Sequence, residues 1–150
     1  MTSNIKKILC AVDLSEHSKM VAEYATTMAR AFNAEITVLY TAPSLSQYVG
    51  FHVPPSSIEN FVGEIVTGAE QSMEEFIKEC FTDPSVPVEG KILSGYAAQE
   101  IIAYATNNDM DIIVMGTHGR TGIDRMLFGS VAEKVVKSAT MPVMTIRPKG

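Results

Sequence analysis

The clearest chemical pattern in the sequence is a set of glycines near its carboxyl end. Gly116 and Gly119 follow a short apolar run, and Gly129 with Ser130 opens the last segment that has helical spacing. Glycine permits positive φ and lets a phosphate or ribose approach the backbone closely. The start of a helix adds unpaired N–H groups and the positive end of the helix dipole, which favour an anion. The pattern therefore predicts a phosphate-binding site.

Two common phosphate-binding motifs are absent from the sequence. No Gly-Lys-Ser or Gly-Lys-Thr follows a glycine-rich loop, which excludes a Walker-type motor or switch. The first apolar run leads into Val12-Asp13-Leu14-Ser15 instead of spaced glycines, so a redox dinucleotide is not expected. Asp13 has the right chemistry to accept hydrogen bonds from a ribose or an adenine amino group, or else it is a carboxylate at a helix entry facing solvent.

Polar side chains within and beside the glycine segment have two interpretations each. His118 either packs over a nucleotide or touches phosphate and carries a proton. Arg120, and less so Arg125, either steers a triphosphate or is a solvated loop charge. Ser130 has no base and orienting acid visibly paired with it, so acyl hydrolase chemistry is not expected.

Five short apolar runs rich in branched residues predict the strands Ile5–Val12, Glu35–Tyr40, Val86–Leu93, Asp111–Met115 and Val143–Ile146. Between them, apolar residues recur at helical spacing in four segments, 21–32, 58–69, 101–105 and 131–135. Strand and helix alternate, and runs such as Ile8–Val12 are apolar on both faces. This order predicts an α/β fold with a doubly wound, five-stranded parallel sheet and helices on both faces, a Rossmann-like arrangement.

This fold predicts where a ligand would bind. Ligands settle beyond the carboxyl ends of the strands where the strand order reverses, which places Asp13 and Gly116 at the mouth of the site. Ser15 is expected to cap the first helix, with Glu16 in its first turn. The irregular connection Ala42–Ser57 is either a lid or a surface loop.

The bulk properties describe one globular domain over residues 1–150. Hydrophobic residues make up 46 % of the chain and charged residues 19 %, while the net charge of -5 offers no basic face to nucleic acid. No signal-peptide core or membrane-length apolar run is present, so a cytoplasmic protein is expected. Cys10 and Cys80 are expected to be reduced structural thiols, and His17 and His52 lack neighbours at metal-ligand spacing.

The glycine spacing, with two residues between Gly116 and Gly119 and nine before Gly129-Ser130, resembles the nucleotide-binding signature of the universal stress protein family. The opening residues Lys6–Ser15 resemble that family's first strand and turn, and Met141–Ile146 resembles its closing strand. The resemblance covers nearly the whole chain. One branch of the family retains the signature and binds ATP, and this sequence resembles that branch.

The resemblance implies roles for individual residues. Asp13 would meet the ribose or adenine, backbone at Ala11, Val12 and Thr41 would line the base, and magnesium would sit between the phosphates. The full implied set is Ala11, Val12, Asp13, Thr41, Met115, Gly116, His118, Gly119, Arg120, Gly129, Ser130 and Val131. In this set, Gly116 and Gly119 pass beside the ribose and α-phosphate, while 129–131 hold the β- and γ-phosphates.

Two further expectations follow from the resemblance. The strand Val143–Ile146 would pair with its twin in a homodimer. The sequence also departs from the family pattern, with Ala11 where a proline is common and no acidic residue after the second strand, which blurs the base pocket.

Three functions remain open from the sequence. The first is a nucleotide-dependent regulatory module with ATP, or AMP or ADP, as its ligand. The second is a slow ATPase or a self-phosphorylating enzyme using Ser130 or Thr121. The third is a structural dimer whose glycines serve only turns.

Overall fold

The computed structural model describes residues 4–43, 55–118 and 129–148, without the side chains of residues 55–62 and Val66. In these ranges strands and helices alternate in the order β1 Lys7–Ala11, α1 Ser18–Phe32, β2 Glu35–Ala42, α2 Pro55–Cys80, β3 Val88–Ser94, α3 Ala97–Asn107, β4 Ile112–Gly116, α4 Ser130–Ser138 and β5 Val143–Ile146. Each predicted run corresponds to one of these elements. Most of the expected loop Ala42–Ser57 lies outside the described residues, but Ala42 ends β2 and the segment from Pro55 begins α2.

The five strands form one parallel sheet in the order β3-β2-β1-β4-β5. In register, Ala11 at the end of β1 lies between Leu39 of β2 and Met115 of β4. The chain builds the sheet outward from β1 in one direction and then returns to add β4 and β5 on the other side. The strand order therefore reverses at β1, where loops that leave neighbouring strands diverge. The predicted α/β fold is confirmed.

Helices cover both faces of the sheet, which explains why its central strands are apolar on both sides. Ile8 and Cys10 pack with residues of α1 and α2, whereas Leu9 and Ala11 pack with residues of α3 and α4. Ile8, Leu9 and Cys10 are 0 % exposed. Because side chains alternate along a strand, a strand between two helical layers must be apolar at every position.

The longest element described is α2, with 26 residues. Its buried residues Ala69, Met73 and Phe76 continue the helical spacing seen earlier in the segment. The predicted segment 58–69 therefore covers only the middle of this helix. Within residues 4–43, 55–118 and 129–148, no helix combines the length and apolar character that crossing a membrane requires.

Both cysteines are free thiols, as expected. Cys10 is buried in β1, and Cys80 packs at the edge of the same apolar cluster. Burial, with a smaller contribution from Cys80, raises the pKa of the Cys10 thiol from 9.0 to about 12. The thiol of Cys10 is therefore protonated at neutral pH and acts as a small apolar side chain.

Candidate functional site

A cleft of about 240 Å³ opens at the carboxyl ends of the central strands, at the predicted reversal of strand order. All the site residues predicted from the sequence that the structure describes line this cleft, namely Ala11, Val12, Asp13, Thr41, Met115, Gly116, His118, Gly129, Ser130 and Val131. Gly119, Arg120, Thr121 and Arg125 lie outside the described residues. The fold thus gathers four separate segments of the sequence into one place.

Asp13 organises the turn between β1 and α1. Its Oδ1 accepts hydrogen bonds from the Ser15 N–H at 2.9 Å and from the Ser18 hydroxyl at 3.0 Å. Leu14, between Asp13 and Ser15, has φ 61°, a left-handed conformation that is costly for a residue with a side chain. The turn therefore fixes the Asp13 carboxylate at the cleft.

The prediction that Ser15 caps α1, with Glu16 in the first turn, is wrong. The helix begins at Ser18 after His17, no side chain makes a capping hydrogen bond, and the first turn holds no acidic residue. The Ser15 hydroxyl is buried without a partner in the described part of the chain, whereas the Ser15 carbonyl accepts the Ser18 N–H at 3.0 Å. The left-handed turn makes Asp13 the side chain that accepts hydrogen bonds here, instead of Ser15.

The start of α4 forms another wall of the cleft. Gly129 precedes the helix, and its N–H donates to the Thr117 carbonyl at 2.7 Å. The first hydrogen bond of the helix runs from the Glu133 N–H to the Gly129 carbonyl at 3.0 Å, and Gly129 has no side chain to cap it. Helix geometry therefore leaves the N–H groups of residues 130–132 without intrahelical acceptors at the positive end of the helix dipole.

The glycines at this wall are needed for space. Gly116 does not use the positive φ that glycine permits, because it is an ordinary residue of β4, and among the described glycines positive φ occurs at Gly95. A Cβ on Gly116 would lie 3.3 Å from the His118 carbonyl oxygen, and one on Gly129 would lie 3.1 Å from the Thr117 carbonyl oxygen. Both glycines thus let the backbone after β4 pack closely against β4 and against the start of α4.

Two polar atoms on residues that line the cleft are buried without a hydrogen-bond partner in the described ranges, the Thr41 Oγ1 and the His118 Nε2. The other ring nitrogen of His118 is 2.9 Å from the Thr117 hydroxyl oxygen, within hydrogen-bond distance. Leaving a buried polar atom unpaired costs about 1–3 kcal/mol. A ligand with its own donors and acceptors fits these atoms better than an apolar one does.

Sequence reasoning missed the residues that line the cleft from α1, α3 and their neighbours. They are His17, Ser18, Val21, Tyr40, Ala97, Ile101, Thr117 and Ala132. A signal was available for part of this set, because the helix that follows a strand in a parallel sheet begins at the carboxyl edge of that sheet. The first turns of α1 and α3 were therefore candidates for the lining.

The charges of the described residues that line the cleft exclude binding of an anion by a Lys or Arg side chain among them. Among its described lining residues none is Lys or Arg, and Asp13 is the acidic one. These residues can hold an anion only through N–H dipoles, hydroxyls and the imidazole of His118.

Comparison with known proteins identifies the family. The model of the universal stress protein family matches residues 4–147. The chain belongs to this family. A universal stress protein of Methanocaldococcus jannaschii is 34 % identical over 142 residues, which cover 95 % of this chain and 82 % of the relative. The solved structure of a universal stress protein from Lactobacillus plantarum matches with a TM-score of 0.83 and 23 % identity, covering 97 % of this chain and all of the other.

Two further solved structures of the family carry adenine nucleotides. A member from Arabidopsis thaliana, with AMP bound, has 21 % identity and a TM-score of 0.67, covering 97 % of this chain and 93 % of the other. A member from Archaeoglobus fulgidus, in complex with dAMP, has 19 % identity and a TM-score of 0.68, covering 97 % of this chain and 99 % of the other. At these identities the two matches show a shared fold.

Proposed function

We propose that this chain binds an adenine nucleotide, with ATP as the preferred form, and acts as a nucleotide-dependent regulatory module. The observation that carries the proposal is the meeting of two features in one cleft. The N–H groups at the start of α4 have no acceptor within their helix and suit an anion, and the polar atoms of Thr41 and His118 that are unpaired within the described residues suit a ligand rich in donors and acceptors. The AMP and dAMP complexes of relatives with this fold support the same class of ligand.

The charges favour one orientation of the nucleotide. Both α1 and α4 begin at the cleft, but the Asp13 carboxylate lies beside the start of α1 and would repel phosphate. Asp13 is the only carboxylate among the described residues that line the cleft, and Glu133 in the first turn of α4 is not one of them and pairs with Lys137 at 2.8 Å. We therefore propose that the phosphates lie at the start of α4 and that the ribose lies beside Asp13.

At the phosphate end of the proposed site, the main binding groups belong to the backbone. The N–H groups of Ser130 and Val131 and the Ser130 hydroxyl would bind the phosphates, while Gly119 and Arg120 would complete this end from residues outside the described ranges. The residues described contain no cluster of three or more His, Cys, Asp or Glu. A magnesium ion would therefore take its ligands from phosphate oxygens and water.

The base end of the proposed site is apolar. Ala11, Val12, Ile101 and Met115 line the cleft, and they offer apolar contact to an adenine ring. The cleft volume of about 240 Å³ lies just below the usual range for ligand pockets of about 300–1,000 Å³. Base and ribose would fill it, with the phosphates at the α4 end.

We also propose a homodimer that forms through β5. This strand is at one edge of the sheet, and Val143, Met144 and Thr145 are half-buried in the single chain. The carbonyls of Pro142 and Ile146 accept hydrogen bonds from the β4 side, at 3.0 Å each. Because backbone groups alternate sides along a strand, those of Val143 and Thr145 face away from the sheet and are available to a second copy.

The free thiols agree with the reducing conditions of the cytoplasm, which is the location we propose. The regulatory role is preferred to catalysis because no side chain is hydrogen-bonded to the Ser130 hydroxyl in the described part of the chain, so nothing there activates it as a nucleophile.

Isothermal titration of the purified protein with ATP, ADP, AMP and GTP, each with and without magnesium, tests the proposal. We expect saturable binding of the adenine nucleotides, with ATP the tightest, and weaker binding of GTP. Binding of no nucleotide at millimolar concentration would leave a structural dimer as the better explanation. Release of labelled phosphate from ATP within seconds in a single turnover would instead favour an enzyme over a regulatory module.

A further inference from the structure

Thr41 has an unusual position for a threonine in this chain. It lies near the carboxyl end of β2, in register with Leu93 of β3, and it lines the cleft. Side-chain alternation places it on the same face of β2 as Leu39, which packs in the apolar cluster with Ala11, Ile101 and Met115. The hydroxyl therefore belongs to a wall of the cleft that is otherwise apolar.

Within the described residues the hydroxyl of Thr41 has no hydrogen-bond partner, unlike those of Thr26 and Thr106 in the helices. Thr26 and Thr106 each donate to the carbonyl one turn earlier, at 2.8 Å. A residue in a strand has no such carbonyl within reach, and the Thr41 Oγ1 is buried without any hydrogen bond in the described ranges. A valine would fill the same space without this cost, so the hydroxyl itself calls for an explanation.

We infer that the Thr41 hydroxyl hydrogen-bonds to the edge of the nucleotide base and determines how strongly the base is recognised; this inference rests on the proposed nucleotide binding. The hydroxyl can both donate and accept, so it suits the amino group and ring nitrogens of adenine. Thr41 is on β2, and the phosphate end of the cleft is beside β4, two strand spacings or about 9–10 Å away. That separation places the base, not the phosphates, at Thr41.

The test compares Thr41→Val with Thr41→Ser and the wild type. Valine keeps the shape and removes the hydroxyl, whereas serine keeps the hydroxyl. Each protein is titrated with AMP and, in competition, with ribose 5-phosphate, which has the sugar and phosphate but no base. Urea unfolding of the nucleotide-free proteins shows whether each variant is folded.

We expect Thr41→Val to weaken AMP binding about five- to tenfold, the loss of one hydrogen bond, while Thr41→Ser stays within about twofold of the wild type. Ribose 5-phosphate should bind the wild type and Thr41→Val equally. Without nucleotide, Thr41→Val should be at least as stable as the wild type, because it removes an unpaired buried hydroxyl.

The inference is wrong if Thr41→Val binds AMP as tightly as the wild type. It is also wrong if the variant loses affinity for AMP and ribose 5-phosphate by the same factor, because the contact would then be with sugar or phosphate. A wild-type protein that binds no nucleotide would overturn the proposed function itself, which is a different result.

Discussion

Adding a methyl group at Gly129 tests the phosphate end of the cleft most directly. Gly129 has φ −72° and ψ 166°, which any residue can adopt, so Gly129→Ala introduces no backbone strain of its own. The new Cβ would lie 3.1 Å from the Thr117 carbonyl oxygen, which already accepts the Gly129 N–H at 2.7 Å. Either the segment after β4 or the start of α4 must move by a few tenths of an ångström.

The size of the effect follows from the contacts that move. A hydrogen bond to a charged group contributes about 1.5–3 kcal/mol, so misplacing one N–H at the start of α4 should weaken ATP binding about 10- to 100-fold. The free energy of unfolding should fall by about 1 kcal/mol, because alanine is also a poorer residue than glycine before a helix. Binding should therefore suffer more than stability.

Gly68→Ala is the matched control. Gly68 is in α2, and a Cβ there would meet nothing within 4 Å. Alanine at this helical position should raise the free energy of unfolding by about 0.5–1 kcal/mol and leave ATP affinity unchanged. Calorimetric titration and urea unfolding of both variants provide the comparison. A folded Gly129→Ala protein that binds ATP within twofold of the wild type would show that the start of α4 does not hold the phosphates.

Three other predictions concern the turn after β1, the central strand and the sheet edge. Asp13→Ala should lower the free energy of unfolding by about 1–2 kcal/mol, because two hydrogen bonds to its carboxylate are lost. Ser15→Ala should change it by less than about 0.5 kcal/mol, because the Ser15 hydroxyl has no partner in the described residues. Equal losses for the two variants in urea unfolding would contradict the conclusion that Asp13, and not Ser15, holds this turn. With the pKa of Cys10 raised to about 12 by burial, the native state keeps a proton that the unfolded chain releases above pH 9, so stability should fall as pH rises from 9 towards 12. Between pH 8 and pH 10 the wild type should lose about 1.4 kcal/mol more than Cys10→Ala, and parallel pH profiles in urea unfolding would refute this. Thr145→Pro, which removes an N–H facing away from the sheet, should convert a dimer to a folded monomer in sedimentation equilibrium, and an unchanged dimer would place the interface elsewhere.

The sequence predicted the position of the cleft well because the responsible pattern is short-range. Runs such as Ile8–Val12 and Ile112–Met115 have no polar position, which only a strand covered on both faces tolerates. Alternation with helices then makes the sheet parallel, and the ends of parallel strands meet at one edge. Asp13 and Gly116 are at that edge in the structure, as predicted.

The details that failed depend on backbone geometry that no residue type specifies alone. Ser15 is a favoured capping residue, but the left-handed Leu14 turns the chain so that Asp13 accepts the hydrogen bonds. Gly116 looked like a turn glycine, yet its hydrogen atom is needed because the His118 carbonyl packs 3.3 Å from where a Cβ would be. Both results depend on the local backbone conformation, which hydrophobic periodicity does not reveal.

The central place of β1 has a consequence for the synthesis of the chain. One side of β1 pairs with β2 early, but its other side must wait for β4, and the Lys7 N–H bonds to the Asp111 carboxylate across 104 positions of sequence. At about 5–20 residues per second, a ribosome needs roughly 5–20 seconds to supply that partner. During this interval one edge of an apolar strand is unpaired, and chaperone binding should be strongest then. A nascent chain gains the cleft at the ends of its central strands only after β4 has emerged and docked.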